Sequence, residues 1–286
     1  MQMKNNNASL IAISKIISKN DRVNAEKILK GWNFKINSDK NMNFKYLRYA
    51  GSPIQRAEQL NNAYRNSNII FSIMGGMGAI HLFEHLDFEP IKNSDSILIG
   101  YSDITMLLNF LNQEFGKRCL HGPNLGKPLK EFDKKTINCL FDAINKKNYN
   151  VNFNDKDILI KGRSRGKICG GNLALIQRSL ATPYEIDTHN KIIFMEAVDK
   201  DPQWVFDTLW QLKLAGKFDN IKGVILGHFT ECGKDIDKYL KEFFKDFKCP
   251  GIMHQPIGHE EPNLTVPIGE QCIIDTDKRF WGIKFN

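Results

Sequence analysis

Ser96-Ile97-Leu98-Ile99-Gly100-Tyr101-Ser102-Asp103-Ile104-Thr105-Met106-Leu107-Leu108 runs an apolar segment into a glycine, then a serine, then apolar positions at helical spacing. The first part reads as a buried strand, and Ile104, Leu107, Leu108 and Leu111 mark one face of a helix. Ser102 therefore sits where a strand turns into a helix, above the carboxyl end of a sheet and beside unpaired helix N–H groups. A hydroxyl there is exposed to substrate, and an oxyanion formed on that substrate has donors at hand. Spacing alone equally allows a plain N-cap serine.

The units on either side follow the same rhythm. Asn20-Asp21 opens a helix through Val23, Ile28 and Leu29 to Gly31. Ser52-Pro53-Ile54-Gln55 supplies a cap, a first-turn proline and a capping-box glutamine ahead of Ala57, Leu60 and Tyr64. Asn68 to Met74 reads as a buried strand, stopped by Gly75-Gly76-Met77-Gly78-Ala79 and continued as a helix from Ile80. Leu10 to Ile13 reads as a first short strand. Alternating strands and helices imply α/β architecture.

Between Asn148 and Lys161 the helical period gives way to a polar, Asn/Asp-rich alternation, and the inter-domain connection is placed there. The expected organisation is an N-terminal domain over residues 1–148, a connecting segment 149–163, and a smaller C-terminal α/β domain over 164–286. In the latter, Gly170-Gly171-Asn172-Leu173 opens a helix, Ile192 to Glu196 forms a strand, and Asp201-Pro202 caps the helix of Trp204, Leu209 and Leu212. Gly223 to Leu226 is a strand, Ile236 to Phe244 an amphipathic helix, and Cys272–Ile274 with Phe280–Ile283 a closing hairpin.

Composition limits the function classes. A chain of 286 residues with 42% hydrophobic content builds one large core or two modest ones. No apolar run reaches the ~18 residues of a spanning helix, so no membrane partner is expected. The polar leader Met1 to Asn7 does not read as a signal peptide, and a cytoplasmic location is expected. The six cysteines, with no C-x-x-C pair, then read as reduced and mostly buried. The net charge of +8 comes from scattered lysines and short pairs such as Lys134-Lys135 and Lys146-Lys147. With no nucleic-acid motif beside them, they read as a solvated basic surface rather than a nucleic-acid site.

Three motifs are weighed against plainer readings. His81-Leu82-Phe83-Glu84-His85 fits H-x-x-E-H, a zinc-hydrolase spacing, but no downstream segment offers a third ligand. The competing reading is an ordinary amphipathic helix, and no metal or other cofactor is expected. Gly75 to Ala79 fails the G-x-G-x-x-G frame, which leaves its close-approach glycines suited to an oxyanion donor. Gly100 to Ile104 is not G-x-S-x-G either, since Ile104 stands in place of the second glycine. A serine nucleophile needs a base and an acid. Glu196 ends an apolar strand, where a carboxylate needs a partner, and His259 lies in a Gly/Pro-bounded loop, although singly each reads as structural or surface.

Six blocks taken together are more specific: Gly75 to Ala79, Gly100 to Thr105, His121-Gly122-Pro123, Gly171-Asn172-Leu173, Phe194-Met195-Glu196 and Gly258 to Gly269. In this order, from about Leu10 to the C-terminus, the chain resembles the LD-carboxypeptidases (muramoyltetrapeptide carboxypeptidases), the serine peptidase family that includes the microcin C self-immunity proteins. The resemblance implies a Rossmann-like N-terminal domain, an active site in the cleft between two domains, and a homodimer. It implies Ser102 as nucleophile, His259 as general base and Glu196 as the residue orienting the imidazole. The oxyanion falls to the backbone N–H of Asp103 and one from the Gly75-Gly76 turn. The implied reaction is release of terminal D-Ala from diaminopimelate in a murein tetrapeptide, a small-peptide substrate. Cleavage of a peptide–nucleotide antibiotic is the alternative within the family, and a silent peptide-binding protein the alternative outside it. Three departures bear on this: Met74 replaces an arginine common before the double glycine, Ser14-Lys15-Ile16 replaces Pro-Ser-Gly, and Glu260 replaces a glycine after the histidine. The last places a carboxylate beside the base, favouring the imidazolium.

Overall fold

The computed structural model describes residues 7–37, Met42 and 44–285; of the polar leader, Met1 to Asn6 lie outside them. The chain forms two compact units, the first ending at Asp133 and the second starting at Lys134.

The first unit contains β1 (Asn7–Ile11), α1 (Lys19–Gly31), β2 (Lys35–Ile36), α2 (Pro53–Asn66), β3 (Ile69–Ser72), α3 (Phe88–Lys92), β4 (Ile97–Gly100), α4 (Thr105–Phe115) and β5 (Cys119–His121). Its strands run β5–β4–β3–β1–β2, and every pairing among them is parallel. Parallel strands covered on both faces must be apolar throughout, and Ile70, Phe71, Leu98 and Ile99 are all fully buried. The anticipated capping box of Ser52 with Gln55 forms on α2, and α1, which starts one residue ahead of the expected Asn20, opens on a second one, Ser18 with Asp21.

The second unit contains α5 (Lys134–Ile144), β6 (Tyr149–Asn152), β7 (Ile158–Ile160), β8 (Arg163–Asn172), α6 (Leu173–Ser179), β9 (Lys191–Val198), α7 (Pro202–Leu214), β10 (Gly223–Thr230), α8 (Ile236–Phe244), β11 (Gly251–Ile252), β12 (Val266–Pro267), β13 (Gln271–Asp275) and β14 (Phe280–Lys284). Eight of these strands make one mixed sheet in the order β6–β14–β13–β8–β9–β10–β11–β7. Its parallel centre, β8 to β11, carries α6, α7 and α8 packed over Ile193, Met195, Val224 and Leu226.

Two expectations differ from what forms. Residues 149–163, expected to connect the domains, instead supply β6 and β7 on the two edges of the second sheet. Their polar alternation is that of an edge strand with one face in solvent. With α5 and these strands included, the second unit is the longer one, where a smaller one was expected. The helix expected from Ile80 is only a 3₁₀ turn over Ala79–Leu82, because Gly76 and Gly78 hold left-handed φ values of 121° and 109° and bend the chain. His81 stacks edge-on to Tyr49 with ring centroids 5.2 Å apart, and His85 lies in the following turn. The H-x-x-E-H residues thus lack the one-turn α-helical spacing that two chelating histidines need.

The sheet of the second unit closes on Trp281, which is fully buried and donates its indole N–H to Gln255 Oε1 at 2.8 Å. Trp281→Phe keeps much of the apolar volume but strands that buried amide oxygen, so a loss of about 1–3 kcal/mol is expected. A lower urea midpoint with an unchanged slope is the measurement that checks it.

Candidate active site

The turn after β4 places Ser102 in the left-handed region, at φ 66°. A non-glycine residue there is uncommon, and such positions cluster at functional sites. The chain then makes a 3₁₀ turn over Ser102–Ile104 and enters α4, whose N-cap is Ile104 with no side-chain capping bond. The capping reading of Ser102 therefore falls away. Its side chain is half-buried, while Asp103, Ile104 and Thr105 are buried.

Gly75 presses against this serine. A methyl built on Gly75 would lie 2.9 Å from Ser102 Cβ and 3.0 Å from its Oγ, so only glycine lets the backbone come this close. Asp103 links the two turns, its Oδ2 accepting from the backbone N–H of Ala79 at 2.8 Å. Arg56, wholly buried on α2, donates to the carbonyls of Gly51 (3.0 Å), Ile13 (2.6 Å) and Gly78 (2.9 Å). Its guanidinium lies 4.9 Å from the Tyr49 ring. Burial lowers the Arg56 pKa below the usual range, and the facing Asp103 charge opposes that shift. The first unit thus gathers Ser102, Asp103, Gly75 and Gly76 on two turns tied by side-chain bonds.

In the second unit, Glu196 sits on β9 with no solvent exposure, and its Oε2 meets His259 Nδ1 at 2.7 Å. Carboxylate contact at Nδ1 fixes the proton there, which leaves Nε2 as the basic nitrogen. Gly258, at φ 126°, allows the approach: a methyl on it would stand 3.0 Å from Glu196 Cβ. The loop is pinned on both sides of the histidine. Gly258 N–H donates to Asn263 Oδ1 at 3.0 Å, and Asn263 N–H donates to Thr136 Oγ1 at 2.8 Å. Thr136 in turn hydrogen-bonds Glu261.

Sequence models of the LD-carboxypeptidase N-terminal and C-terminal domains match residues 9–122 and 165–274. The chain belongs to the LD-carboxypeptidase family. A probable murein peptide carboxypeptidase of Bacillus subtilis is 29% identical over 244 residues, 80% of this chain and 76% of that one. A putative carboxypeptidase of Rickettsia conorii is 33% identical over 224 residues, 75% of this chain and 70% of its own. The crystal structure of muramoyltetrapeptide carboxypeptidase from Oxalobacter formigenes superposes with a TM-score of 0.89 at 23% identity, covering 98% of this chain and 99% of that one. The structure of MccF in complex with glutamyl sulfamoyl guanosine does so at 0.89 and 22%, covering 100% and 97%. Both share the fold of this LD-carboxypeptidase-family chain.

Two polar residues escaped the sequence reading. Asn124 accepts from Tyr101 N–H at 3.4 Å through Oδ1, while its Nδ2 lies 3.4 Å from a methyl built on Gly75, so one amide buttresses both turns. The signal for it was its place directly after His121-Gly122-Pro123. His228, on β10, accepts at Nδ1 from Glu260 N–H at 3.3 Å. Burial pushes His228 below the ordinary histidine range, against the pull of Glu260, Glu196 and Glu261 and with a further push from His259. The Glu260 carboxylate thus bears on His228, a histidine that the sequence reading overlooked. Cysteine is poorly placed to be a nucleophile, since burial raises the thiols of Cys139 and Cys169 to about 12.

The His228 shift has a stability consequence. A folded-state pKa below the unfolded value of roughly 6.5 means that the unfolded chain takes up the proton first. Stability present above that value is lost as pH falls through the folded pKa. His228→Gln should therefore show a shallower loss of stability than the parent below about pH 6.5, read from urea midpoints across pH.

Proposed function

We propose that this family member is a serine LD-carboxypeptidase that removes terminal D-Ala from soluble murein tetrapeptide at the L-centre of diaminopimelate. The observation that carries the reading is Ser102: a hydroxyl held at φ 66° on a strand-to-helix turn, with the Gly75 backbone packed against its Oγ. That arrangement supports acyl transfer, a reaction that gains when nucleophile and backbone donors are in position before substrate arrives.

In this mechanism Ser102 Oγ attacks the scissile carbonyl while His259 Nε2 takes its proton. The tetrahedral oxyanion is held by the N–H of Asp103 and one from the Gly75-Gly76 turn. His259 then protonates the departing D-Ala amine, and water repeats the sequence to release the acyl group. Glu196 keeps the Nδ1 proton in place and stabilises the imidazolium. The six free cysteines fit a reducing compartment such as the cytoplasm, where recycled peptides are the available substrate. Among the described residues no helix is long and apolar enough to cross a membrane.

Ser102→Ala is expected to fold normally and lose turnover roughly 10³-fold or more, with His259→Ala comparably inactive and Glu196→Gln partly active. Mass spectrometry should show D-Ala leaving the tetrapeptide, and a fluorophosphonate should label Ser102; a clean Ser102→Ala preparation with normal turnover would end the serine reading. Gly75→Ala is expected to lower kcat about 10²-fold, because the added methyl pushes the donor turn off the serine. Steady-state kinetics alongside a matching circular dichroism spectrum test that.

A further inference from the structure

The strand order of the first unit puts β1 and β3 side by side, while the connection after β1 leads to one edge of the sheet and that after β3 to the other. In open α/β sheets such a reversal opens a crevice beyond the carboxyl ends of the two strands, where ligands bind. Here the crevice is an open groove of about 980 Å³, lined by Lys15 beyond β1, Lys19 and Arg22 of α1, Lys45, and Met74 beyond β3.

The groove adjoins the serine through two glycines. The stem of Lys15 lies along Gly76, its Cβ, Cγ and Cδ at 2.9, 3.0 and 3.1 Å from a methyl built there. Gly75, the next residue back, is the one packed on Ser102. Contact therefore runs from Ser102 through Gly75 and Gly76 to Lys15 without leaving the unit.

The groove also holds surplus positive charge. Its two acidic residues are engaged: Asp21 Oδ2 accepts the N–H of Ser18 at 2.7 Å, and Glu26 pairs with Arg22 at 2.8 Å. Among the described residues no acidic side chain pairs with Lys15, Lys19 or Lys45. Lys15 is exposed, and Met74 gives the same wall an apolar surface. An unpaired lysine ammonium, on a stem that packs against the glycine pair bordering Ser102, is suited to an anionic group.

We propose that Lys15 is a specificity residue that binds an anionic group of the substrate one residue beyond the scissile carbonyl. This rests on Ser102 being the nucleophile. A peptide's terminal carboxylate lies one residue past the last amide, roughly 4 Å along the chain. The phosphoryl group of an aminoacyl phosphoramidate offers the same kind of charge at a comparable distance.

The test is kinetics of the full chain on three substrates: tetrapeptide ending in D-Ala carboxylate, the same peptide ending in D-Ala carboxamide, and an aminoacyl phosphoramidate nucleotide. The parent should prefer the carboxylate over the carboxamide by about tenfold or more in kcat/KM. Lys15→Met, which keeps a stem against Gly76, should lose that preference, chiefly through a raised KM on the carboxylate substrate, with a far smaller effect on the carboxamide. Lys15→Arg should stay within a few-fold of the parent. The same loss confined to the phosphoramidate would assign the phosphoryl group as the anion. Parent turnover that Lys15→Met lowers equally on all substrates, or not at all, overturns the lysine assignment alone. No turnover of any substrate by the parent overturns the Ser102 reading and this one with it.

Discussion

Everything around Ser102 depends on one buried cation. Arg56 holds three carbonyls that belong to different segments: Ile13 after β1, Gly51 before α2, and Gly78 after β3. A guanidinium removed from water is costly unless its donors are used, so those carbonyls are held where the fork can reach them. The third of them lies on the turn that bears Gly75 and Gly76. Asp103, on the serine turn, faces the same charge and takes the Ala79 N–H. Two turns that approach each other only through glycine are thereby locked by a charge that has nowhere else to go.

The second unit solves a related problem in a different way. Glu196 is a carboxylate in a strand of Ile, Phe and Met, and a buried carboxylate demands a donor. His259 supplies it from a loop whose own position is set by Asn263 and Thr136, neither of which touches the carboxylate in the bonds described. The imidazole orientation therefore follows from hydrogen bonds along the loop as much as from the carboxylate it meets. Gly258 matters for the same reason as Gly75, since a side chain would occupy the space the partner needs.

Much of this was legible in the residues. Ser52-Pro53-Ile54-Gln55 and the run into Gly100 gave correct elements because caps and apolar periodicity are local signals. The Ile80 helix was misread because His81, Leu82 and His85 mimic a helical face, while Gly76 and Gly78 decide the backbone. The segment 149–163 was misread because an edge strand with one wet face looks like a linker until its partners are known. Glu196 stood out in sequence as a charge in an apolar strand. Asn124 and His228 did not, since their importance comes from neighbours more than twenty residues away along the chain. The groove beside Lys15 was invisible for the same reason: it exists only once β1 and β3 are adjacent.

The left-handed backbone at Ser102 sets a selective conflict. Glycine accepts that conformation with no steric penalty, whereas serine carries a cost on the order of 1 kcal/mol. Replacement by glycine would therefore relieve the backbone at the moment it abolishes the hydroxyl. Where nothing selects for the hydroxyl, this codon should be among the early ones to drift toward glycine. Retention of serine at a position where glycine is easier is more informative than retention of any core residue whose loss would harm folding and function alike.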